Sequence, residues 1–173
     1  MLSQSDSHIL TLLETGEMSA LNQIWSAYAD DMLAYLISLG NTKPEAEDLL
    51  QDVFITIARK HQKIAKTEKL QPYLFRMCRN HSINIISKAQ RRRTREQQFS
   101  TDNQHAIVEE NTQSFETMRL ALKKLPRKQS TVIGLKFWRK KTFPEIASML
   151  DISENTAASR YRYGIKKLKS LLQ

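Results

Sequence analysis

Apolar residues recur along this chain at intervals of three and four, the period of an α-helix, without the alternation that marks a strand. A short helix is expected within residues 6–15 and a longer one from about Ser19 to Leu39. In the longer one Leu21, Ile24, Trp25, Tyr28, Met32, Tyr35, Leu36 and Leu39 mark a single core face. Gly40 ends it. Thr42 is then placed to N-cap the next helix, with Glu45 closing a capping box and Pro44 in the first turn. That helix, PEAEDLLQDVFITIARK, turns Ala46, Leu49, Leu50, Val53, Phe54 and Ile57 inward and leaves an acidic outer face. His61 to Lys69 is polar and nonperiodic and reads as a loop. In LQPYLFRMCRNHSINIISKAQRRR, Leu74, Met77, Cys78, His81 and Ile85 give the inner stripe, with Arg76, Arg79, Asn80, Ser82, Asn84 and Lys88 outward.

Residues 96–115, EQQFSTDNQHAIVEENTQSF, break the periodicity with a polar, mildly acidic run of linker character. A helix then carries Phe115, Met118, Leu122 and Leu125 up to Pro126, and RKQSTVIGLKFW forms another around Val132, Ile133, Leu135 and Phe137. From Thr142 to Lys169 the spacing is that of two short helices about a tight turn. Thr142 and Glu145 form a second capping box. Asp151 falls where the turn needs a residue that tolerates left-handed backbone, and Ser153 offers the next N-cap. Ala157, Tyr161, Ile165, Leu168 and Leu172 then make one buried stripe. Asn155, Thr156, Ser159, Arg160, Arg162, Tyr163 and Lys166 lie opposite, able to meet phosphates or base edges, which is the form of a helix-turn-helix with a recognition helix. The fold expected is all-α: two small helical domains, 1–95 and 115–173, joined by a flexible linker at 96–114.

The net charge of +9 and pI near 9.7 call for a polyanionic partner. Its distribution says more. Residues 1–68 carry a net −5, 69–95 a net +8, 96–115 a net −4 and 116–173 a net +10. Two basic blocks alternating with acid suggest two nucleic-acid contacts and one basic protein partner. Part of the acidity near Glu45 suits a helix N-terminus, but Asp52 lies beyond the dipole's reach. The single cysteine, Cys78, forms no internal disulfide and reads as a buried small hydrophobe suited to a reducing cytoplasm. No apolar run approaches the ~20 residues that span a bilayer, so membrane insertion is not expected. No metal-ligand cluster, nucleophile–base pair or phosphate loop is legible, and neither an enzyme nor a cofactor is expected.

EAEDLLQDVFITIARK, followed by LQPYLFRMCRNHSINIISKAQRRR, resembles the second conserved region of bacterial RNA polymerase sigma factors. LKKLPRKQSTVIGLKFWRKKTFPEIASMLDISENTAASRYRYGIKKLKSLL resembles their fourth. With only these two regions, the chain is similar to the extracytoplasmic-function (ECF) class. The resemblance implies a subunit that binds core polymerase, recognises the −35 element and melts the −10 element. It implies docking of Glu47, Asp48, Leu50, Gln51, Asp52 and Phe54 on the clamp coiled coil of the largest polymerase subunit. It assigns the −10 strand to Lys63, Lys66, Lys69, Arg76, Arg79, Asn80, Asn84, Lys88, Arg91 and Arg92. It assigns the −35 duplex to Lys141, Asn155, Thr156, Ser159, Arg160, Arg162, Tyr163 and Lys166, with Lys136, Arg139 and Lys140 also at phosphate. The polymerase flap region, promoter DNA and an anti-sigma protein complete the implied partners. Two departures stand out: the loop lacks the family's frequent aromatic and Gly-Asp elements, and Ala158 replaces a common Lys or Arg.

Two other classes compete on the residues alone. A response-regulator-type transcription factor would end in a similar helix-turn-helix, but residues 1–95 show no alternation of strand and helix. A helical RNA-binding protein would need no acidic docking helix.

Overall fold

The computed structural model describes residues 4–96 and 110–172, with side chains for 5–83 and 115–171. Among these residues the backbone is helical between turns: α1 (Gln4–Thr15), α2 (Ser19–Ser38), α3 (Lys43–Arg59), α4 (His61–Ala65), α5 (Leu70–Glu96), α6 (Glu110–Lys123), α7 (Arg127–Arg139), α8 (Phe143–Leu150) and α9 (Glu154–Leu172). The helix boundaries follow local chemistry. At the start of α3 the Thr42 amide donates to Glu45 Oε2 (2.7 Å) while the Glu45 amide donates to Thr42 Oγ1 (3.4 Å). The same box recurs at α8, where Thr142 donates to Glu145 Oε2 (2.7 Å) and Glu145 to Thr142 Oγ1 (3.4 Å). That bond to the Thr142 amide holds the Glu145 carboxyl below the usual carboxylate range.

α2 stops at Gly40, whose φ of +99° suits glycine, and Asn41 Nδ2 turns back to cap the Leu36 carbonyl (2.7 Å). The same amide group donates to Ser82 Oγ (3.2 Å), which draws Ser82 of α5 into the interior. Ser82 is therefore buried, not outward as its polarity suggests. Two further expectations change. Residues 61–69 hold the one-turn helix α4, anchored by the buried Ile64. It is too short to show a period. α6 begins at Glu110, before its first apolar position at Phe115. Ile85 and Leu172 have side chains outside the described residues.

α1 to α5 pack around Ile24, Met32, Leu36, Leu49, Ile57, Leu74 and Phe75, with the Phe75 ring edge-on to Tyr35 at 5.1 Å. Phe75, absent from the expected stripe, is among the largest fully buried side chains. Thr56 Oγ1 meets His81 Nε2 at 3.3 Å, so His81 ties α3 to α5. Cys78 is fully buried, and burial pushes its thiol far up in pKa, as expected of an inert core residue.

The last four helices do not stand apart. α7 lies along α2, α6 touches the end of α2, and α8 packs on α5. Val132, Leu135, Ile146, Met149 and Ala157 continue the core of the first five helices, while Ala121, Leu122, Leu125, Ile133 and Leu168 form a smaller cluster of their own. The close approach of α7 to α2 depends on Gly134, where a Cβ would sit 2.4 Å from Ser38 Cβ.

Candidate nucleic-acid and protein interfaces

On α3, Glu47, Asp48, Gln51 and Asp52 are exposed, so one face of the helix presents carboxylates and an amide to solvent. Leu50 is not part of it. At 4 % exposure it lies in the core beside Leu49, and its contribution to docking is to hold the helix in place. Phe54 is half-buried under Trp25, ring centroids 4.9 Å apart. Trp25, expected in the core, is 51 % exposed. It sits at the margin of the α2 stripe, where among the described residues its ring meets Phe54 of α3 and stays open to solvent, and it extends the acidic face with an aromatic surface.

The cations expected at the −10 strand are divided. Lys63 and Lys66 are exposed on and after α4. Lys69 instead pairs with Asp151 at 2.6 Å, and the bond raises the lysine pKa. On α5, Arg76 lies over the Tyr73 ring at 4.9 Å and, with Arg79 and Asn80, is exposed. Asn84, Lys88, Arg91 and Arg92 have side chains outside the described residues.

The helix-turn-helix forms as its sequence requires. Asp151 takes the left-handed conformation (φ 52°, ψ 54°) between α8 and α9. Ser153 Oγ accepts the Thr156 amide (3.1 Å) and so caps α9. Ala157 and Leu168 are buried and Tyr161 and Ile165 half-buried. Tyr161 meets Phe143 of α8 edge-on at 5.6 Å, fixing the angle of the two helices. Opposite, Asn155, Arg162, Tyr163 and Lys166 are exposed, Tyr163 at 64 %, while Thr156, Ser159 and Arg160 are half-buried. Phe137, expected in the core, is 57 % exposed because α7 turns its other face to α2.

Three of the four cations flanking this unit meet a partner. Arg139 Nε donates to Asp31 Oδ1 at 2.6 Å and Lys141 Nζ reaches Asp31 Oδ2 at 2.8 Å. Lys136 covers the Phe143 ring at 4.6 Å. Lys140 is exposed in a left-handed C-cap (φ 51°). Arg119 of α6 is buried, bound to Glu116 and donating to the Gly40 carbonyl at 2.7 Å. The Arg119 bond holds Glu116 below the usual carboxylate range. Between the two groups of helices lies a cleft of about 330 Å³, with Arg76, Arg79, Arg127, Lys128 and Arg160 on its walls. Periodicity could not find the pairings of Asp31 with Arg139 and Lys141, or of Arg119 with the Gly40 carbonyl, because those partners lie far apart in sequence.

Two family models match the chain: sigma-70 region 2 over residues 24–92 and sigma-70 region 4 over residues 121–170. The chain belongs to the sigma-70 family, in the ECF class. It is a sigma factor, directing promoter-specific transcription, and performs no covalent chemistry of its own. It is 26 % identical over 158 residues to the RNA polymerase sigma factor SigZ of Bacillus subtilis, covering 88 % of this chain and 87 % of that one. It is 25 % identical to the ECF sigma factor SigM of the same organism, covering 87 % and 94 %. Among solved structures, CnrH bound to the cytosolic domain of CnrY shares the fold at a TM-score of 0.69 and 18 % identity, over 98 % of this chain and 97 % of that one. RpoE of Bartonella quintana, bound to the anti-sigma factor NepR, shares it at 0.63 and 21 %, over 87 % and 95 %. No helix among the described residues is long and apolar enough to cross a membrane.

Proposed function

We propose that this sigma factor docks on core RNA polymerase through α3, melts the −10 element with residues of α4 and α5, and reads the −35 element with α9. Residues 1–95 and 115–173 act as the two working domains and 96–114 as their tether. The observation that carries this reading is the separation of surfaces. Glu47, Asp48, Gln51, Asp52 and the Trp25–Phe54 pair form an acidic and aromatic face, whereas the exposed cations of α5 and α9 lie elsewhere. The first suits a basic protein helix, the clamp coiled coil, and the others suit phosphate backbones. Lys63, Lys66 and Lys69 would hold separated-strand phosphates while Arg76, Arg79, Asn80, Asn84, Lys88, Arg91 and Arg92 meet the strand and its exposed bases. Asn155, Thr156, Ser159, Arg160, Arg162, Tyr163, Lys166 and Lys141 would meet the −35 duplex, with the polymerase flap region positioning their domain.

The geometry can serve both elements once the two groups of helices part. From Glu96 to Glu110 the chain extends at most ~46 Å at ~3.3 Å per residue. The rest of the ~70 Å between elements two helical turns apart falls to the bodies of the two groups of helices themselves. The site of action is the cytoplasm, with its chromosome and polymerase, and an anti-sigma protein is a further partner, by analogy with the complex of RpoE and the anti-sigma factor NepR. Run-off transcription from genomic fragments with purified core polymerase tests the reading. Initiation at discrete start sites that depends on this chain is expected. Failure to co-purify with core polymerase, or to direct initiation, overturns it.

A further inference from the structure

The cleft of about 330 Å³ gathers five cations from three helices: Arg76 and Arg79 of α5, Arg127 and Lys128 of α7, and Arg160 of α9. Among the described residues none of the five pairs with a carboxylate. The one carboxylate that shares the cleft, Asp151, is already bonded to Lys69 at 2.6 Å. Arg139 and Lys141, by contrast, have Asp31 to neutralise them. Burial raises the pKa of the Tyr35 hydroxyl, which also lines the cleft, while the charges of Arg79 and Arg127 both pull it down. Guanidinium groups from α5 and α7 therefore bear on one point. Arg127 and Lys128 also open α7, whose N-cap Pro126 brings no side-chain hydrogen bond. Cations there meet the positive pole of the helix dipole, which costs stability until an anion arrives.

We propose that this cleft is a binding site for an oligophosphate anion, two or more phosphates carried on one small molecule. Four of the five cations are arginines, whose planar fork meets two phosphate oxygens at a time. A single phosphate carries about −1.5 to −2 charge, too little to match them, whereas a chain of three carries roughly twice that. The volume lies at the lower end of the ~300–1,000 Å³ of small-molecule sites, so it admits a compact carrier of charge and not an extended acidic strand. Leu39, Phe75, Leu150 and Ile152 line the same space and give it an apolar wall against which a nucleotide base can pack. Nucleoside triphosphates and inorganic polyphosphate both supply the anion, and that wall is what separates them. The site goes beyond promoter recognition, since Arg127 and Lys128 belong to neither DNA-reading set. Arg76, Arg79 and Arg160 do, so an occupied cleft engages three cations that promoter DNA would otherwise meet.

Isothermal titration calorimetry on the full chain, at fixed ionic strength and without divalent cations, tests the site with tripolyphosphate, adenosine triphosphate, orthophosphate and a tetraglutamate peptide. One tripolyphosphate should bind per chain, at least ~10-fold more tightly than orthophosphate, which is too short to span the cations. Arg127→Gln and Lys128→Gln, both at exposed positions, should each weaken it about tenfold, the loss of one charge-assisted contact. Lys60→Gln removes an equal charge from an exposed position outside the cleft and should change affinity by roughly twofold or less, because salt screens a distant charge. Adenosine triphosphate binding more tightly than tripolyphosphate assigns the wall to a base and the anion to nucleotides; equal binding assigns the anion to inorganic polyphosphate. Tripolyphosphate bound no more tightly than orthophosphate, or weakened equally by all three substitutions, overturns the site, as does a tetraglutamate peptide that binds as well. If either α7 variant fails to fold, the wild-type comparison of these anions decides. None of these readouts passes through promoter-directed transcription, so failure of the site leaves the proposed function standing.

Discussion

The packing of α7 on α2 makes Gly134→Ala the most direct probe of how the two groups of helices are held. Glycine inside a helix costs ~1 kcal/mol relative to alanine, so on propensity alone the substitution should stabilise α7. The new Cβ, however, falls 2.4 Å from Ser38 Cβ and 3.1 Å from Trp138 Cζ3. Non-bonded carbons sit at ~3.5–4.0 Å, so α7 must retreat from α2 by roughly 1 Å or more. Overpacking of this kind costs ~1–3 kcal/mol. The Ser38 clash exists only while the helices are together, whereas the propensity gain is present either way and cancels. The balance between packed and separated arrangements should therefore shift by ~1–3 kcal/mol, about 5- to 150-fold. Small-angle scattering should show a larger radius of gyration. Ser38→Gly, which removes the struck atom, should restore the compact form in the double variant. A chain that stays compact and gains thermal stability by the full propensity term would refute the reasoning.

Four other substitutions have outcomes that follow from single sites. Asp52→Arg should weaken binding to core polymerase by reversing an exposed charge on α3, and Trp25→Ala should cost ~2 kcal/mol of the same affinity. Neither should change duplex binding, and a pull-down beside an anisotropy titration checks both. Thr142→Ala removes the α8 capping box and should cost ~1 kcal/mol, read by urea denaturation. Because the folded Glu145 carboxyl titrates below its unfolded value, the box stabilises fully above the ordinary carboxylate pKa. That stabilisation is lost as pH falls through the lower, folded value, so the gap between wild type and Thr142→Ala should narrow in acid. Tyr35 has its hydroxyl pushed up to about 12, mainly by burial, so the folded state holds this proton more tightly than the unfolded state does. Stability should fall as pH rises from about 10 to about 12, and Tyr35→Phe should flatten that stretch of the alkaline profile.

What the sequence made legible was local. Both capping boxes, the left-handed Asp151 and the Ser153 cap are decided by residues within four positions of one another, and each is present. A helical period also identifies a stripe, but not where the stripe's edge lies. Trp25 and Phe137 fall at such edges and are exposed; Phe75 falls just outside one and is buried. Whether an edge position is covered depends on a helix that arrives from elsewhere in the chain. Ser82 shows the same limit from the polar side, since only Asn41, 41 residues away, makes its burial tolerable.

Charge patterning carried the functional reading further than periodicity did, and the structure divides that pattern. The acidity of residues 1–68 read as one docking surface for a basic partner. It falls into two parts. Glu47, Asp48 and Asp52 face solvent on α3, while Asp30 and Asp31 on α2 already meet basic residues of the same chain, 108 positions away in the case of Asp31 and Arg139. The basic blocks divide in the same way: Lys69, Arg139 and Lys141 are paired internally, whereas Arg76, Arg79, Arg162 and Lys166 remain exposed. Internal pairing of Lys69, Arg139 and Lys141 therefore leaves fewer cations open to an outside phosphate in this arrangement than the net charge of +9 alone suggests.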